Sequence, residues 1–136
     1  MAQRELVCPE EMAHLVERFN YAPAVKVGQM VYAAGQVGRD SEMNVIDSSL
    51  EDHITAAWEN VGKVLAAAGC GYEDIVEMTT FHVDLQEQLP TFLAVKDKFI
   101  PRQDVPPAWT AIGITELTFP GQLVEIKVIA CVPDAA

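Results

Sequence analysis

The chain has 136 residues, half of them apolar, and 20 acidic against 9 basic side chains leave a formal charge of −11. That length suits one domain over 1–136, which buries roughly two-thirds of its unfolded surface without a disulfide or metal. A pI near 4.5 argues against nucleic-acid partners and against an anionic membrane surface, since both are bound through clustered Lys and Arg.

The N-terminal stretch carries acids where a signal peptide carries bases, and no apolar run approaches the ~20 residues of a membrane span. Cys8, Cys70 and Cys131 are an odd number with no CxxC spacing, a pattern of reduced thiols. A cytoplasmic location is expected.

In chain order, residues 9–19 open with Pro and two acids and predict a helix with Met12, Leu15, Val16 and Phe19 on one face. Two β-like runs joined at Gly28 then predict a hairpin. Residues 36–47 read as a polar loop with a short strand at Asn44–Ile46. Over 50–68, Ile54, Trp58, Val61 and Leu65 recur at helical period, Ser48 and Glu51 have capping-box spacing, and Gly69 is the stop. A strand over 74–84, a helix over about 90–99 and strands from PPAWTAIGI and QLVEIKVIACV complete the order.

Such an order gives an α+β fold, a sheet with helices on one face. The last strand turns Val124, Ile126, Val128, Ala130 and Val132 toward the helices. Leu123, Glu125, Lys127, Ile129 and Cys131 fall on the other side, which is apolar enough to need a cover. A symmetric oligomer supplies one.

Sharp catalytic motifs are missing. Gly62-Lys63 lacks the rest of a phosphate loop, and Gly69-x-Gly71 reads as a helix stop. His14, His53 and His82 share no metal-ligand spacing, so no metal and no cofactor are expected. His82 and Asp84 share a strand face and can pair, although a hydrogen-bonded structural His is the simpler reading. Glu125 and Lys127 are two charges on an apolar face, to be solvated, paired or used.

Several segments together resemble the YjgF/RidA family, best known for its reactive intermediate deaminases. They are Tyr21-Ala-Pro-Ala-Val-Lys-Val-Gly28, Ala34-Gly35-Gln36-Val37, Trp58-Glu59-Asn60-Val61, Asp74-Ile-Val, Met78-Thr-Thr-Phe81, Pro107-Ala108 and Val124-Glu125-Ile126. The likeness covers a core over about 20–132, with 1–19 as an N-terminal extension carrying a helix. It implies the chorismate-mutase-like fold, a homotrimeric barrel, and a pocket between subunits for a small-molecule metabolite. It also implies Glu125 as the residue that positions water for attack on an imine carbon, with Tyr21 and the Gly35 backbone beside it.

The deaminating members hold their substrate carboxylate with an Arg in Pro-Ala-Arg-Ser. Here the stretch reads Pro107-Ala108-Trp109-Thr110, and an indole has one donor and no charge. The usual 2-imino-acid activity is therefore not carried over. Ala111 stands where the family often has Cys, and Lys96 where a pocket Asn is common. Lys96 or Lys127 are alternative sources of positive charge. Two readings stand: hydrolytic deamination of an imine or enamine, or a non-enzymatic small-molecule sensor or interaction protein altered by Trp109. Ribonuclease activity, described for some family members, fits the acidic charge worst.

Overall fold

Why the last strand is apolar on both faces becomes clear from its position. The computed structural model describes residues 3–134. It contains one seven-stranded sheet, in which the strand latest in the chain lies at the centre. The elements are β1 (Arg4–Val7), a 3-10 turn (Glu10–Met12), α1 (Ala13–Phe19), β2 (Ala24–Val27), β3 (Met30–Ala33), β4 (Gln36–Val37) and α2 (Leu50–Ala67). Then follow β5 (Ile75–Val83), α3 (Leu85–Phe99), β6 (Ala108–Ile114) and β7 (Val124–Cys131). The strand order is β1-β2-β3-β7-β5-β6, with β4 also on β7. Strand β7 runs antiparallel to β3, β4 and β5, while β5 and β6 are parallel and joined through α3.

The expected hairpin forms with Val27 opposite Met30. Gly28 takes a φ of +61° at its first central position, a left-handed geometry that a side chain resists. Helix α2 is capped by Ser49, not Ser48: the Ser49 hydroxyl accepts from the Asp52 amide at 3.0 Å, and Ser48 bonds the Asp52 carboxylate instead. Gly69 (φ +80°) follows the helix end, as its position in the sequence suggested.

Other boundaries move. The N-terminal helix begins as a 3-10 turn, and Phe19 is exposed rather than part of its buried face. Residues ahead of it add strand β1, unforeseen because three of its four side chains are exposed and, among the described residues, it pairs with β2 alone. In the segment read as a polar loop, β4 pairs Gln36 and Val37 with Ile126 and Glu125. The strand expected at Asn44–Ile46 is reduced to one bridge, Val45 with Arg39. Helix α3 starts at Leu85, five residues before its expected start, and carries Pro90 inside. Pro90 removes one hydrogen-bond donor, and a helix anchored by packing on both sides of it tolerates that loss.

The core lies between the helices and one face of the sheet. Val124, Ile126, Val128 and Ala130 are buried there against Ile54, Ala57, Trp58, Val61 and Leu65. Trp58 stacks on Phe99 at 6.2 Å and meets Phe92 at the same distance, and Phe92 stacks on Trp109 at 5.8 Å. On the opposite face, Tyr32, Ile112 and Leu123 are exposed. Among the described residues no helix is long and apolar enough to cross a membrane.

Candidate functional site

A cavity of about 270 Å³ opens where the N-terminal end of β7 meets β4, lined among others by Tyr21, Gly35, Arg39, Phe119, Gln122 and Glu125. Three short segments build it. Asn20, in a left-handed conformation (φ +55°), ends α1 and turns the chain into Tyr21. The Ala34 amide donates to the Pro23 carbonyl at 2.8 Å, which sets Gly35 beside β7. Buried Asn60 of α2 then donates from Nδ2 to the carbonyls of both Val37 and Arg39, each at 2.9 Å. Its single side chain fixes the backbone on either side of Gly38.

Glu125 lies against the backbone of Gly35. A Cβ built on Gly35 meets Glu125 Oε1 at 1.9 Å, so only glycine leaves the carboxylate this place. Glu125 is half-buried and has no ion pair or hydrogen-bonded partner among the described residues. Burial pushes its pKa above the usual 4.5. A carboxylate raised toward neutrality is a better proton acceptor from water than an ordinary exposed one. Burial likewise raises the Tyr21 hydroxyl, with the Arg39 charge acting against this and the Glu125 charge adding to it. Tyr21 therefore senses both charged walls.

The remaining predicted residues do not join this group within one chain. Trp109 lies opposite Met78 and packs on the helix side of the sheet, against Phe92 of α3. Lys96 stands over the Trp109 ring at 5.4 Å and pairs with Asp97 at 3.1 Å. Ala111 is two residues along β6 on the Trp109 side. Lys127 is exposed on the opposite face, across from Thr79. The residues thus form two clusters, Glu125/Tyr21/Gly35 at the cavity and Lys96/Trp109/Ala111 beside α3.

Trp109 is held by more than stacking. Its Nε1 donates to Thr80 Oγ1 at 2.9 Å, and Thr80 Oγ1 is 2.6 Å from His82 Nε2. His82 Nδ1 is 2.5 Å from Gln88 Oε1, while Gln88 Nε2 donates to the carbonyls of Val83 and Leu123. Because Gln88 spends its amide on carbonyls, its oxygen must accept from His82 Nδ1–H. His82 Nε2 then accepts the Thr80 hydroxyl, and the ring is neutral. Burial, only partly offset by Gln88, lowers the His82 pKa in keeping with this. The pairing of His82 with Asp84 does not form: Asp84 sits at the start of α3 in a left-handed conformation. His53 is also structural, bonded to the Ile46 carbonyl at 2.9 Å and receiving the Leu123 amide at 3.1 Å.

Arg39, Gln122 and Phe119 line the cavity without having been foreseen. They lie in irregular segments, where neither helical nor strand periodicity singles out a side chain. Among the described residues no group of three or more His, Cys, Asp or Glu could hold a metal ion.

The family model described as Endoribonuclease L-PSP matches residues 12–132. The chain belongs to the YjgF/RidA family. The RutC family protein YjgH of Escherichia coli K12 is 34% identical over 134 residues, covering 98% of this chain and 99% of that one. A solved structure of protein YJGH has a TM-score of 0.85 at 32% identity, covering 97% and 98%. The mouse 2-iminobutanoate/2-iminopropanoate deaminase is 32% identical over 111 residues, covering 81% and 79%. The architecture is the YjgF/RidA fold, with the cavity in the segment around the family's Ala34-Gly35-Gln36-Val37 stretch.

Gly35→Ala tests the placement of Glu125. The new methyl displaces only the end of a flexible side chain, so the variant folds normally. For the water-positioning role that the family resemblance implies for Glu125, an imine-hydrolysis assay is expected to show about a 100-fold loss, typical of moving a reacting group by about 1 Å. Unchanged turnover overturns the placement.

Proposed function

We propose that this YjgF/RidA protein hydrolyses a small imine or enamine tautomer, with Glu125 activating water. The observation that carries this reading is Glu125 itself: unpaired, half-buried and raised in pKa, on the wall of a small cavity. The family membership and a relative named as a 2-iminobutanoate/2-iminopropanoate deaminase support the same chemistry. In the reaction Glu125 takes a proton from water as its oxygen bonds to the imine carbon. That proton passes to nitrogen to give a carbinolamine; its hydroxyl proton then follows to the nitrogen through Glu125, the C–N bond breaks as C=O forms, and ammonia leaves with a carbonyl product. Tyr21 orients the water or the substrate.

The working unit in this reading is a homotrimer. Its support is the exposed apolar face of the sheet and the separation of the two residue clusters, which a neighbouring subunit can bring together. Lys96, Trp109 and Ala111 of one subunit then face Glu125 and Tyr21 of the next. Light scattering is expected to give three times 14.9 kDa, and a monomer mass overturns the trimer.

The activity is tested by generating imines with an amino-acid oxidase while semicarbazide traps what escapes. The protein is expected to lower trapping catalytically. No acceleration at stoichiometric protein overturns hydrolysis. That result favours a binding protein, a reading supported by Trp109, whose indole N–H is already committed to Thr80.

A further inference from the structure

Arg39 is 8% exposed, yet no carboxylate pairs with it among the described residues. Its guanidinium contacts the Met43 sulfur, a weak acceptor for a group with five N–H donors. The neighbouring Asp40 carboxylate feels the Arg39 charge without forming an ion pair, so the buried guanidinium keeps N–H donors that no carboxylate takes up, and such unmet donors are costly unless a ligand uses them. The backbone around it is tightly held: Asn60 takes its carbonyl, its own amide donates to Val37, and Val45 bridges to it. Arg39 lines the cavity that Glu125 also lines, and among the described residues the two form no ion pair.

We infer that Arg39 is the anion anchor of the Glu125 cavity, binding the carboxylate of a small organic acid whose reacting carbon lies toward Glu125. This rests on the hydrolase reading for the role of Glu125, but the anchor stands or falls on ligand binding alone. The cation moves from the strand position occupied by Trp109 to the segment after β4, within the chain that carries the glutamate. A guanidinium fork suits a carboxylate through two parallel charge-assisted hydrogen bonds. Tyr21 lines the same cavity and senses the charge of each. A local cation of this kind also offsets the −11 background that otherwise repels an anionic ligand.

The test uses 2-oxobutanoate and its neutral amide, 2-oxobutanamide, as stable probes in calorimetric titrations. Wild-type protein is expected to bind the acid about 10- to 100-fold more tightly than the amide. Arg39→Gln erases that preference, while Arg39→Lys, which keeps the charge but not the fork, retains part of it. A purely structural role for Arg39 alters thermal stability without changing the acid-to-amide ratio. Equal binding of both probes by wild type, or a preference that survives in Arg39→Gln, overturns the anchor; the wild-type comparison decides even if the variant does not fold. Failure to bind either probe overturns it too. An Arg39-dependent preference without imine hydrolysis keeps the anchor and removes the hydrolase.

Discussion

Replacing Glu125 with Gln is expected to lower the proposed imine hydrolysis by about 100- to 10,000-fold, the range for losing a general base, and to raise the melting temperature near neutral pH. The second effect follows from linkage. Burial raises the Glu125 pKa in the folded chain above its ordinary 4.5. The native state then holds this proton more firmly than the unfolded chain does. As pH climbs from about 4.5 through the raised value, the unfolded state ionises first and native stability falls. Gln cannot ionise, so the variant escapes this penalty. Melting curves across pH are expected to separate above that window and converge below it. Curves that stay parallel through the window overturn the burial of an ionised Glu125.

Gln88→Ala is the largest expected loss of stability, about 2–4 kcal/mol by urea denaturation. It strips partners from His82 Nδ1 and from the carbonyls of Val83 and Leu123 at once. Leu123 is two residues ahead of Glu125, so the change also loosens the entry of β7 into the site. In the wild type, burial keeps the His82 pKa below the ordinary 6.5. As pH falls below about 6.5, the unfolded chain gains a proton that native His82 refuses, and stability drops toward the lowered value. Gln88 is the bond that partly holds the His82 pKa up, so without it that acid sensitivity is expected to deepen. A variant within about 1 kcal/mol of wild type shows that the network is not required.

Much of the fold was legible because β7 and α2 follow their periods closely. Alternation along β7 identifies both its buried face and the face bearing Glu125, and the burial of Val124, Ile126, Val128 and Ala130 agrees. Alternation says nothing of register between strands, however. It could not reveal that Trp109 lies across from Met78 on the helix side while Glu125 faces the cavity. Pro90 made the start of α3 look later than it is, since proline most often opens a helix. Arg39 was illegible for another reason. Its burial depends on Asn60 reaching from α2 to hold two carbonyls more than 20 residues earlier, a long-range contact with no local signature.

The central place of β7 also has a consequence for how the molecule is assembled. Met30 pairs with Cys131 and Ile75 with Ala130, so β7 joins two half-sheets made long before it in the chain. Until its residues are available, β3 and β5 each present an unsatisfied edge. Completion requires closing a loop of about 100 residues, which favours slow folding of a topology rich in distant contacts. A nascent chain stalled before Val124 therefore carries two sticky borders, and it is the species most exposed to aggregation and most in need of a chaperone.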